Sequence, residues 1–299
     1  MTRARKAAAT RGEGDPLAPI LAALGDRWPV VTGPGWVLVH GDCREVLPAL
    51  PDGCATHRID DPPYSEHTHA KQWDRYALQV AGGKRFKNPP KTLSFAPLTA
   101  EVRDFVAAQS ARLVERWSIA FSDVEWAHEW RDSFLAAGLD AVRTCLWVKP
   151  DASPQFTGDR PAVAAEAFVV AHPAGRKRWN AGGKRNVYTH GVNNFGRVDR
   201  PHPTSKPIDL MLEILADFTD PGDVVLDCFA GSATTGVGCL RLGRMFIGIE
   251  RLPLPGLPID DETNPDFFGI ACRRMRGDEA RPREQQPGLF DLATGVTNR

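Results

Sequence analysis

No stretch of the 299-residue sequence comes near the roughly 20 consecutive apolar residues that a membrane-spanning helix requires. The basic opening, "MTRARKAAATRGEGDP", lacks the apolar core of a secretion signal, so residues 1–35 are expected to form a mobile N-terminal arm and the protein to be cytoplasmic. Cysteine is present but unorganised. Cys43, Cys54, Cys145, Cys228, Cys239 and Cys272 include no C-x-x-C pair, which argues against a disulfide framework or a zinc site and for reduced core thiols; no metal is expected. Net charge is lacking too, since 37 Lys and Arg offset 37 Asp and Glu, an odd balance for a nucleic-acid binder if the charge were evenly spread. It is not even. Between His172 and Lys206 stand Arg176, Lys177, Arg178, Lys184, Arg185, Arg197, Arg200 and Lys206 against Asp199 alone, and "KRFKNPPK" at 84–91 adds a second basic patch. Such a stretch is either a solvated loop or a grip on phosphates.

What is present is an alternation of strand and helix signals with no internal repeat. Strand-like runs occur at 36–42, 54–60, 118–123, 140–150, 165–173, 224–227 and 244–250, and helical spacing at 99–117, 125–138, from Pro207 onward, after the turn near Gly231, and at 265–275. Alternation of this kind predicts one α/β domain, a doubly wound, mostly parallel, seven-stranded sheet with helices on both faces. Residues 65–97 show no period and read as a long loop, a feature that is usually functional inside a compact domain. The segment 277–299 has the composition of a disordered tail.

Two segments make poor structural material and are therefore informative. "DPPY" at 61–64 closes an apolar strand with an acid and two prolines, none of which helps a sheet ladder. "VVLDCFAGSATTGVGCLRLGRMFIGIE" has the strand, Gly turn, helix, strand order of a nucleotide-binding unit, with Asp227 and Glu250 ending its two strands. Ala233 stands where the dinucleotide pattern needs a Gly, and no Lys fills a Walker position, so the ligand read from this unit is an adenosine without a pyrophosphate. S-adenosylmethionine meets that description, with Glu250 on its ribose and its carboxylate near a helix N-terminus.

With "DPPY" at 61–64, "HPTSKP" at 202–207 and "DCFAGSATT" at 227–235 in that order, the chain resembles the amino-methylating DNA methyltransferases of the permuted β class, which act on adenine N6 or cytosine N4. "HGD" (40–42), "LWVKP" (146–150) and "IACRRM" (270–275) extend the resemblance over roughly 36–275. It implies a Rossmann-like methyltransferase domain over 36–276, with S-adenosylmethionine as cofactor, DNA as partner, a base flipped out of the helix, and a place in restriction-modification chemistry. Asp61 and the Pro62 carbonyl would accept the two hydrogens of an exocyclic amino group, Pro63 would stiffen the turn, and Tyr64 would stack on the base. By the same resemblance Asp42, Phe229, Gly231, Ser232 and Thr234 would line the cofactor site with Asp227 and Glu250, and Thr204 and Lys206 would lie near its methionyl end. Ser205 departs from the family, which more often has Gln there. The basic insertion, about 172–201, would recognise DNA: Arg176, Lys177, Arg178, Lys184 and Arg185 on phosphates, with Trp179, Tyr188, Asn193 and Asn194 as candidates to probe bases.

Asp at position 61 points to adenine, because cytosine-N4 members more often carry Ser there. The alternatives are cytosine N4, an RNA or protein substrate, and a non-catalytic relative that binds DNA or cofactor. "SEHTH" (65–69) lacks a second set of metal ligands. In the tail, Gln286, Leu289 and Phe290 resemble the short peptides that bacterial proteins insert into the sliding clamp. The whole reading requires Asp61 and the Gly231 turn, far apart in sequence, to meet at neighbouring strand ends on one sheet edge.

Overall fold

The structure is a computed structural model in which residues 14–63, 98–152, 154, 158–192, 206–251 and 266–278 are described. Their strands are β1 (Val30–Gly33), β2 (Trp36–His40), β3 (His57–Asp60), β4 (Ser118–Ser122), β5 (Asp140–Val148), β6 (Ala165–His172), β7 (Val187–Thr189), β8 (Val224–Asp227) and β9 (Met245–Glu250). Their α-helices are α1 (Ala18–Leu24), α2 (Cys43–Val46), α3 (Ala100–Leu113), α4 (Ala127–Ala136), α5 (Ile208–Phe218), α6 (Thr234–Arg241) and α7 (Phe267–Arg276). One sheet contains all nine strands in the order β1-β2-β9-β8-β3-β4-β6-β5-β7. Strands β2, β9, β8, β3 and β4 are mutually parallel, β6 runs against β4 and β5, β7 follows β5, and β1 runs against β2.

Strand side chains alternate between two cores, as a sheet covered on both faces requires. Val37, Val39, Val224, Leu226, Val169 and Ala171 face one core with α1, α2, α3 and α4. Trp36, Leu38, Val225, Phe168 and Val170 face the other, closed by α5, α6 and α7. Helix α3 begins at Thr99, whose hydroxyl accepts from the Val102 amide at 3.3 Å. Helix α5 follows Pro207 and buries Leu210, Met211, Ile214, Leu215 and Phe218 along one stripe.

Two expectations need correction. The sheet has nine strands where seven were expected, and the extra pair, β1 and β7, are short outer strands of four and three residues. Their pairing rests on backbone hydrogen bonds, which leave no period in so few residues. Nor are residues 1–35 an arm in their described part. Leu17, Ile20 and Leu24 are buried in the first core, and Val30–Gly33 pairs with β2 through a turn at Pro34 and Gly35. Gly35 takes a φ of 77°, open to glycine at little strain. Trp28 packs so closely on the end of β2 that a side chain at Gly41 would lie 2.8 Å from its ring. The domain therefore begins before α1. The loop 65–97 and the tail 279–299 lie outside the described residues.

Ala233, the cap residue of α6, is the one non-glycine residue at positive φ (57°) among the described residues. An L side chain is strained there. Ala233→Gly is expected to raise the stability of the cofactor-free protein by about 1 kcal/mol, read as a higher urea midpoint with an unchanged slope.

Candidate active site

Parallel packing of β3 against β8 pairs His57 with Val225 and Arg58 with Leu226, so both strands finish at the same edge. Asp61, Pro62 and Pro63 leave β3 there, and the turn from Asp227 to Ser232 leaves β8 beside them. The juxtaposition required of Asp61 and the Gly231 turn is met. Tyr64 and Thr204 lie outside the described residues.

Buried charge surrounds the start of the "DPPY" turn. Arg58, wholly buried, donates to both Asp60 oxygens at 2.7 and 2.8 Å and to the Ser110 hydroxyl at 2.5 Å. Its guanidinium lies over Trp130 and Phe134, with centroids 5.2 and 5.5 Å away. Cys228, in the turn after β8, donates its thiol to Asp60 at 2.9 Å and so ties the two strand ends together. Asp61 itself accepts from Lys206 Nζ on both oxygens at 2.7 Å. Its side chain keeps 32% of its surface exposed, while that of Lys206 keeps 7%. Burial raises the Asp61 carboxyl above the usual aspartate range, with the Lys206 ammonium opposing. Lys206 also sits over the Phe121 ring at 5.1 Å. Beside Pro63 lies a shallow hollow lined by Phe121, Trp126 and Trp130 and flanked by the Arg103–Glu129 ion pair at 2.6 Å.

On the other side of β3, the Gly231 amide donates to Glu250 Oε2 at 2.6 Å. Burial pushes the Glu250 carboxyl up to about 7, against the pull of that amide. Asp227, 2% exposed, accepts from the Phe229 amide at 3.0 Å, and burial, followed by the neighbouring Asp60 charge, drives its carboxyl well above the usual range. Asp42 is at the same edge, but its carboxylate caps α2 and receives two hydrogen bonds from the Arg44 guanidinium at 3.0 and 2.7 Å. Those bonds hold its pKa below the ordinary value. The hydroxyls of Ser232 and Thr234 each accept from Arg274 of α7 at 3.0 Å.

The basic insertion is tied to the body of the domain. Because β6 is antiparallel to its neighbours, it carries the chain away from Asp61, and the segment after His172 starts at the opposite edge before returning to pair β7 with the last three residues of β5. Lys177 pairs with Asp140 at the start of β5 (2.6 Å), Arg178 with Asp220 (3.4 Å), and Lys184 with Glu213 (2.6 Å) and Asp217 on α5. Arg176 and Arg185 are exposed. Lys177, Arg178 and Lys184 thus each pair with local acids that composition alone could not assign. Tyr188 is 1% exposed and donates to Asp217 at 2.8 Å, and Trp179 packs edge-on against Phe218 at 4.7 Å, so neither is placed to probe a base. Asn193 and Asn194 lie outside the described residues, as do Gln286, Leu289 and Phe290.

The residues that sequence reasoning missed are charged groups within apolar runs. Glu166 stands near the start of β6 and Lys149 just past the end of β5, joined at 2.5 Å at the catalytic edge. Arg274 and the stack of His40 on Phe268, 4.4 Å between centroids, complete the set. A lone acid in "AEAFVVAHP" is the signal that pointed to Glu166. Among the described residues no helix is long and apolar enough to cross a membrane.

A family model for N6/N4 methyltransferases, described as "DNA methylase", matches residues 142–253, which include "HPTSKP" and "DCFAGSATT" but not "DPPY". The Type II methyltransferase M.Cfr9I of Citrobacter freundii is 27% identical, over 82% of this chain and 89% of that protein. M.HinfI, a Type II methyltransferase of Haemophilus influenzae, is 24% identical over 85% and 72%. Among solved structures, the M1.HpyAVI–SAM complex matches with a TM-score of 0.56 at 23% identity, covering 80% of this chain and 98% of that one. The PvuII DNA methyltransferase, cytosine-N4-specific, matches with 0.58 at 16% identity, covering 82% and 94%. The doubly wound methyltransferase fold expected from the motifs is thus borne out.

Replacing Arg58 leaves the Asp60 carboxylate buried without its partner. Arg58→Met is expected to destabilise the protein by about 3–5 kcal/mol in urea unfolding, whereas Arg44→Met, at an exposed pair, changes it by less than about 1 kcal/mol.

Proposed function

We propose that this chain, which fits the amino-methylating DNA methyltransferases by family match and fold, uses S-adenosylmethionine to methylate the N6 amino group of adenine in DNA. The observation that carries the reading is the Asp61 carboxylate, partly exposed at the strand end next to the Gly231 turn. An exocyclic amine is a weak nucleophile because its lone pair is delocalised into the ring. Asp61 and the Pro62 carbonyl would accept its two hydrogens and so localise that lone pair toward the methyl donor.

The residues beside Asp61 fit the methyl donor. Glu250 presents an acceptor for ribose hydroxyls, and the β8–α6 turn contains no lysine for a pyrophosphate. When bound, S-adenosylmethionine supplies a sulfonium-activated methyl group. The target nitrogen would take that methyl group in exchange for the methyl's bond to sulfur, and the amine would then shed one proton. Asp61, with its carboxyl raised by burial, is suited to receive that proton. The preference for adenine over cytosine rests on Asp at position 61. The tail residues Gln286, Leu289 and Phe290 remain a proposed sliding-clamp contact, tested by clamp pull-down with and without Leu289→Ala plus Phe290→Ala.

Tritiated methyl transfer to DNA by the unmutated chain, and its loss by roughly 10²–10³-fold or more in Asp61→Ala, is the expected outcome. Digestion to nucleosides should place the label in N6-methyladenine; label in N4-methylcytosine would overturn the adenine assignment. Glu250 gives a second expectation. Ribose hydroxyls donate to its carboxylate form, so cofactor affinity should be full above pH 7 and weaken as pH falls through about 7, by up to tenfold per unit. Calorimetric titration checks this, and Glu250→Gln should flatten the profile.

A further inference from the structure

Four charges of alternating sign cross the catalytic edge. Lys149 Nζ lies 2.5 Å from Glu166 Oε1, Lys206 Nζ lies 3.1 Å from Glu166 Oε2, and the same ammonium is 2.7 Å from each Asp61 oxygen. Glu166 is 10% exposed at its side chain. The ammonium is thus shared, with its two shorter contacts on Asp61 and the longer one on Glu166 Oε2, which has no other hydrogen-bond donor among the described residues. A buried carboxylate oxygen in the longer contact of a shared ammonium has room to accept more of it.

This matters for the Asp61 chemistry on which the inference rests. An amino group that donates to Asp61 competes with an ammonium already occupying both oxygens, and that positive charge weakens the carboxylate as an acceptor. We propose that Glu166 is a positioning residue whose Oε2 is the second berth of the Lys206 ammonium, taken up when the target amino group claims an Asp61 oxygen. Lys149 fixes Glu166 through the other oxygen, so the berth does not swing away. Burial alone would raise the Glu166 carboxyl, but Lys206 and Lys149 hold it down at about 2, so it keeps its charge throughout. Phe121 and Trp147 wall the ammonium, with centroids 5.1 and 6.0 Å from Nζ.

Glu166→Gln removes the charge and keeps the shape, leaving Lys206 on Asp61; Glu166→Asp keeps the charge. The expected result is a single-turnover methylation rate lower by about 10²-fold in Glu166→Gln, with KM for DNA and for S-adenosylmethionine within about threefold of the parent. Glu166→Asp should recover at least about tenfold of that loss, and Lys206→Met added to Glu166→Gln should slow it no further. A readout without substrate accompanies these. Carboxyl ¹³C NMR, assigned with Asp61→Asn, should show the Asp61 pKa falling by about one unit in Glu166→Gln, as the ammonium settles wholly on Asp61. The other charged groups near Asp61, namely Lys149, Asp60 and Asp227, are unchanged between the two proteins. An unaltered single-turnover rate with an unaltered Asp61 pKa overturns the proposal, as does equal damage by the Asp and Gln variants. Retained methylation in Asp61→Ala would instead overturn the functional reading, while the NMR comparison still decides whether Glu166 governs Lys206.

Discussion

The parallel register of β3 with β8 is the constraint on which the site depends. Two parallel neighbours end on the same side of a sheet, and here those ends carry Asp61 and the Asp227–Ser232 turn. Residues some 170 positions apart in sequence are neighbours because two strands lie side by side. The thiol of Cys228 on Asp60 and the Arg58 pair behind it then fix how the chain leaves β3. A buried ion pair is weak evidence for added stability, but it is a demanding geometric lock: an Arg with both its bidentate partner and a hydroxyl satisfied has one place to sit.

The edge is also an electrostatic arrangement. On one side of β3, Asp61 is paired with an ammonium; on the other, Glu250 and Asp227 are carboxyls whose burial favours their neutral forms. Carboxyl groups a strand apart thus meet opposite treatment, one supplied with a cation and two left to hydrogen-bond donors. That division would suit the proposed site, in which a cationic methyl donor and a neutral base lie side by side.

Much of the fold was legible because both faces of the sheet are covered. Strands buried on both sides read as apolar runs, and β2, β4, β6, β8 and β9 carry that signature. The outer strands β1 and β7 do not, since three or four residues paired on one side leave no pattern. Leu17, Ile20 and Leu24 did carry helical spacing, hidden behind a basic, polar start. The motifs of the site were legible because they violate the rules for sheet ends. Lys149 and Glu166 were not, because a single charge beside an apolar run has no meaning until topology supplies its partner. The ion pairs of the basic stretch were hidden for the complementary reason: cations were visible, while the acids of α5 and β5 that pair with Lys177 and Lys184 are close only in space.

One reversed strand has a wider consequence. Since β6 runs against its neighbours, the connection from it to β7 starts at the rim opposite Asp61 and then climbs back to the last residues of β5. From Trp179 onward it is bound to Phe218, Thr219 and Thr144, whereas residues 173–176 at the start are joined to little else. That short stretch, on the rim away from Asp61, is the natural splice point of this scaffold.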